Sequence, residues 1–166
     1  MRRLLLSLAL ALVPGWAAAD QYAARYTPVM LQMQKTCVDF VLHKVNDGAN
    51  LAQAGLAMTR QTKRKTIYEA KAGLRANFDT VYSIELGENN RGVRGCRIEV
   101  IRTEYDTARA VFDAALRDMA KKGGKSVGAP SGGDFSYQRF AFGATVIQVK
   151  SVFSANSLIM DYYIPR

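Results

Sequence analysis

The hydrophobic period of this chain changes three times, and the order of those changes limits the fold more tightly than any motif. Met30, Met33, Cys37, Phe40, Val41 and Val45 recur at steps of three and four residues, the spacing that lines one face of a helix. Thr27-Pro28 supplies a capping hydroxyl and a proline at the first helical position, and Asn46-Asp47-Gly48 supplies a stop, so a helix is predicted between them. From Leu51 to Arg102 the period becomes two. Leu56 and Met58, Ile67 and Glu69, and then Phe78, Thr80, Tyr82, Ile84 and Leu86 alternate as strands do. GENNRGVRG, Gly87 to Gly95, reads as a turn, after which Cys96, Ile98 and Val100 resume the alternation. Glu85 and Arg97 then point away from the apolar set on adjacent strands, where opposite charges can pair.

A second helical stripe follows, formed by Ala108, Val111, Phe112, Ala115, Leu116 and Met119, with Thr103 and Asp106 as caps and Lys121-Lys122-Gly123-Gly124 as the stop. Beyond the loop GGKSVGAPSGGD, strand-like runs begin at Phe135, Thr145 and Leu158, with turns at Gly143-Ala144 and Ala155-Asn156. Asn50 to Gly55 fits a strand or a helical turn equally. Strands joined by short turns pair antiparallel, and amphipathic helices need an apolar surface to cover. The predicted class is therefore α+β: a twisted antiparallel sheet of about six or seven strands with two helices on one face. The two halves share this outline without a sequence repeat. The layout is similar to that of small secreted inhibitor and adaptor domains, a likeness that carries no function.

The first residues, MRRLLLSLALALVPGWAAAD, give two arginines, an apolar run of ten residues from Leu4 to Val13, and Ala17-Ala18-Ala19 before Asp20. This is the layout of a general secretory signal with cleavage after Ala19, because a membrane span needs about twenty apolar residues. Residues 1–19 are therefore read as the signal and 20–166 as one globular domain, periplasmic or secreted, with no membrane span after cleavage. Cys37 and Cys96 are the only cysteines. In an oxidising compartment their default is a disulfide, which would stabilise the fold by about 4 kcal/mol through loop closure.

The formal charge is +9, and +7 once Arg2 and Arg3 are removed. RQTKRK, Arg60 to Lys65, concentrates that excess. Arg60, Lys63, Arg64 and Lys65 are thus the candidate contacts for an anionic partner, placed at a hairpin tip between two alternating runs. Export and the scarcity of stacking aromatics, with only Tyr68 close by, argue against nucleic acid. Phe140, Phe142, Ile159 and Tyr163 are the second candidate set, an apolar patch on the sheet face without helices that would take a partner, a further layer or a second copy of the chain.

Catalytic patterns are thin. His43 is the only histidine, at helical spacing from Asp39, and too few imidazoles are present for a His-rich metal site. Gly124-Lys125-Ser126 lacks the earlier glycine of a phosphate loop, and Ser131 lies in a loop, not in a strand-to-helix elbow. Glu85 and Glu99 are the one conceivable acid and base pair. No cofactor or metal is expected. The leading expectation is an exported non-enzymatic binding protein of the cell envelope, an adaptor, inhibitor or immunity-type factor whose partner is another envelope protein or an anionic envelope component. The alternatives are a periplasmic carrier holding a small apolar or anionic ligand between sheet and helices, and an enzyme working through carboxylates.

Overall fold

A computed structural model describes residues 16–70, 81–128 and 137–165, with side chains for residues 28–70, 82–128 and 137–165. Helix α1 (Trp16–Val41) is followed by a short 3-10 helix (Ala49–Ala54) and strands β1 (Leu56–Gln61), β2 (Lys65–Ala70), β3 (Val81–Glu88) and β4 (Arg94–Ile101). Helix α2 (Tyr105–Lys121) then leads to β5 (Lys125–Ser126), β6 (Tyr137–Phe142), β7 (Thr145–Ser154) and β8 (Ser157–Tyr163). The fold is α+β. Among the described residues a single open sheet has eight strands in the order β1-β2-β3-β4-β8-β7-β6-β5, every neighbouring pair antiparallel. Each half is a helix followed by a four-stranded meander, and the β4–β8 pairing joins them, so the strand order mirrors itself about the centre.

The alternation read from sequence decides which face is covered. Tyr82, Ile84, Leu86, Cys96, Ile98, Val100, Ile147, Val149, Leu158, Met160 and Tyr162 are at most 3% exposed. They share one core with Met30, Met33, Cys37, Phe40 and Val41 of α1 and with Ala108, Val111, Phe112, Ala115 and Met119 of α2. Both helices therefore lie on the same face. Cys37 and Cys96 form the expected disulfide, with 5.3 Å between their α-carbons, and it ties α1 to the centre of the sheet.

Polar side chains complete this layer. Gln34 is 1% exposed; its amide donates to Ala115 O (2.9 Å) and Asp118 Oδ2 (3.0 Å), and its Oε1 accepts from the Tyr162 hydroxyl (3.2 Å). Both helices and β8 are thereby held to one another. At the other end of α1, the Arg94 guanidinium donates to Val45 O (2.8 Å), Asn46 Oδ1 (2.8 Å) and Glu88 Oε2 (2.9 Å), and stacks 4.8 Å from the centre of the Phe40 ring. It also reaches the helix carbonyl Phe40 O (3.4 Å) and so pins both the last turn of α1 and the chain that follows it to β4.

Several local expectations change. α1 begins at Trp16 and not at Thr27, with Pro28 inside it; the alanine-rich stretch before the proline favours helix strongly enough to extend it. α1 ends at Val41, where His43 adopts a left-handed φ of 58°. Neither Thr103 nor Asp106 caps α2, because Glu104 holds the cap position without a side-chain hydrogen bond and Thr103 N instead donates to Asn156 O (2.8 Å). Asn50 to Gly55 resolves as 3-10 helix closed by Gly55 at φ 81°. The two-residue β5 lies in what reads as loop, and raises the strand count to eight. Phe78, Thr80 and Phe135 lie outside the described residues.

Candidate functional site

The β1–β2 tip is built by Thr62. Its Oγ1 accepts from Lys65 N (3.0 Å) and Arg64 N (3.4 Å), while its own N–H donates to Lys65 O (2.8 Å). Arg60, Lys63, Arg64 and Lys65 are all exposed around this turn, so the structure places them together at a hairpin end. Lys65 reaches across the sheet to Glu85, Nζ to Oε1 2.7 Å. Among the described residues Lys63 and Arg64 make no ion pair.

On the face without helices a row of charged side chains crosses the strands. Register puts Glu85 opposite Arg97, Arg97 opposite Asp161 and Asp161 opposite Lys150. Arg97 and Asp161 form a two-pronged pair, Nε–Oδ1 2.7 Å and Nη2–Oδ2 3.2 Å. That hydrogen bond to Asp161, reinforced by the charges of Asp161, Glu85 and Glu99, raises the Arg97 pKa above its ordinary value. Two residue pairs nearer the tip, on the same face, Gly87 faces Gly95, with Lys65 beside Gly87 and Tyr163 beside Gly95. Strands lie about 4.8 Å apart, so two side-chain-free positions in register open roughly 14 Å between Lys65 and Tyr163. The result is an open trough of about 680 Å³ floored by the two glycines.

Arg64, Lys65, Arg94, Arg97 and Lys150 border the trough, against Glu85, Glu88 and Asp161. Three ion pairs use Lys65, Arg94 and Arg97. Arg64 and Lys150 have no acidic partner within ion-pair distance among the described residues. Gln148 Nε2 donates to the Tyr163 hydroxyl (2.6 Å) and Gln148 Oε1 accepts from Arg139 Nε (2.9 Å). A second hollow of about 300 Å³ lies near Phe40, Asn46 and Leu86, and Arg64, Lys65, Glu88 and Asn89 border both. The basic tip thus stands between two hollows.

The second candidate set is divided by the sheet. Phe140 is 2% exposed and Phe142 packs against the core, both toward the helices, whereas Ile159 and Tyr163 are half-buried on the opposite face. A shared apolar patch of these four residues is not formed. In FSYQRFAF the aromatic residues occupy both parities, so composition does not reveal which set faces inward. The register does, pairing Phe140 with Ile147, which is fully buried.

The catalytic alternatives gain no convergent geometry. His43 is exposed beyond the end of α1, and the Asp39 carboxylate is held by Lys35 at 3.1 Å. Glu85 and Glu99 stand on the uncovered face in different register pairs, Glu85 opposite Arg97 and Glu99 opposite Ser83. Ser131 lies outside the described residues. Among the described residues no group of three or more His, Cys, Asp or Glu could hold a metal ion, and no helix is long and apolar enough to cross a membrane. Comparison of the chain with family models, with curated proteins and with solved structures found no match.

The glycine-floored trough is the feature that sequence reasoning missed. Gly87 and Gly95 bound a segment read wholly as a turn, yet the turn itself spans only Asn89 to Val93, where Asn89 Oδ1 accepts from Arg91 N (2.9 Å) and Val93 N (3.0 Å). Two glycines placed symmetrically about such a turn must face each other in the hairpin, and that is the signal the sequence contains.

Proposed function

We propose that the chain is an exported binding protein of the cell envelope that engages an anionic envelope component or an acidic protein surface through the β1–β2 tip and the adjoining trough. The observation that carries this reading is the pair of cations Arg64 and Lys150, which have no ion-pair partner among the described residues and border an open hollow beside an exposed basic turn. The disulfide suits an oxidising destination, and the signal-like first residues supply a route to it. Exposed like charges at a protruding turn raise the local concentration of an oppositely charged partner. The carrier alternative needs space between sheet and helices, and there the described core residues pack with almost no exposure. Capture from an envelope extract by immobilised protein comprising residues 20–166 tests the proposal. Capture should be lost in about 1 M salt, where screening acts within about 3 Å; capture that survives would reject an electrostatic partner.

A further inference from the structure

Among the described residues nothing requires glycine at 87 or 95. Neither has a left-handed φ. A β-carbon on Gly87 would come no closer than 3.7 Å to a neighbour, and one on Gly95 no closer than 3.9 Å, both ordinary contacts. Glycine inside a strand weakens it and commonly marks a place where something else approaches the backbone closely. Here two occur in register on the uncovered face, and the chemistry around them is mixed. Glu85, Arg97 and Asp161 are already paired, so they offer donors and acceptors side by side instead of a uniform charge. Tyr163 accepts a hydrogen bond from Gln148 and keeps its own proton to donate.

From this arrangement we infer that the trough recognises an acidic sugar unit, a hexose ring bearing a phosphate or a carboxylate, as part of an envelope glycan. The flat glycine floor admits a ring. The alternating donors and acceptors match hydroxyl groups, each of which both donates and accepts. Arg64 borders one end of the trough and Lys150 the other, and the cation at the end where the acidic substituent lies binds it by charge-assisted hydrogen bonds. The inference rests on the proposed binding function and gives its ligand a chemical class.

The test is an amide NMR titration of residues 20–166 with glucose 6-phosphate, glucuronate, glucose and inorganic phosphate. The amides of Gly87 and Gly95 should shift with at least one of the two acidic sugars, and the arm that responds identifies phosphate or carboxylate as the substituent. Glucose and inorganic phosphate should bind at least about tenfold more weakly. Gly95→Val should abolish the shifts without lowering the melting temperature, since valine suits a strand and its β-carbon would meet only an ordinary contact. Lys125→Glu, exposed on the edge strand β5 at the other side of the sheet, should leave sugar binding intact. Inorganic phosphate equal to the acidic sugars, or no shift at Gly87 and Gly95, would overturn the inference. Salt-sensitive capture from extract alongside absent sugar binding would sink this inference alone; sugar binding with salt-insensitive capture would sink the electrostatic reading and leave the trough's ligand standing.

Discussion

The two faces of the sheet are built from the same strands, yet they obey different rules. Ile84, Ile98 and Met160 on the inner face are fully buried, while their sequence neighbours Glu85, Arg97 and Asp161 on the outer face make a row of alternating charge. Inner positions are constrained by volume, because a close-packed interior registers the loss of a methylene. Outer positions are constrained only by their partners across the strands. A chain that keeps its inner face can therefore change its outer face with little effect on folding, and the outer face is where a binding function has freedom to reside.

The largest expected effect falls on the inner layer. Replacing both Cys37 and Cys96 with alanine should reduce unfolding free energy by about 4 kcal/mol, measured by urea melts; a loss below about 1 kcal/mol would mean that the α1–β4 link does not carry the layer. Next comes a matched pair. Ile98→Ala should cost about 2–5 kcal/mol, whereas Ile159→Ala, one register row away on the other face, should cost under about 1 kcal/mol. Equal losses would erase the distinction between the faces.

A smaller effect concerns Tyr162. Burial, with the Asp118 charge adding to it, raises the Tyr162 pKa well above the tyrosine range. The neutral hydroxyl therefore contributes stability that is complete below about pH 10, where unfolded tyrosine ionises, and is lost as pH rises above it. Tyr162→Phe should lower stability near neutrality by about 1 kcal/mol, through the lost bond to Gln34, and make the alkaline decline shallower. Urea melts of both proteins at neutral pH and at about pH 10.5 would show it; identical slopes would contradict the burial account.

Much of the inner face was legible in sequence because burial imposes a period. Met33, Cys37, Ile98 and Phe112 each lie where the spacing puts them, and the oxidising-compartment argument paired the cysteines correctly. Failures occurred where period gives no direction. Phe140 and Phe142 sit in a run with aromatics at both parities, β5 is too short to show alternation, and Pro28 marks a helix start in isolation but not after an alanine-rich turn. The outer face was legible only in part: Glu85 and Arg97 stand opposite each other on adjacent strands as their alternation implied, while the trough beside them was missed. The trough consists of absent side chains in register, and Gly87 and Gly95 come into register only when the turn between them is confined to Asn89–Val93 instead of taking in the whole glycine-bounded segment.

The central claim is that the basic tip and trough of the uncovered face bind, while the helix-covered face only supports them. Reversing Lys63, Arg64 and Lys65 to glutamate tests it most directly, with capture from envelope extract and thermal unfolding measured on the same preparation. The account predicts that capture is lost while the melting temperature stays within about 4 °C, the shift expected for no more than about 1 kcal/mol in a domain of this size. Undiminished capture by the folded variant would contradict it.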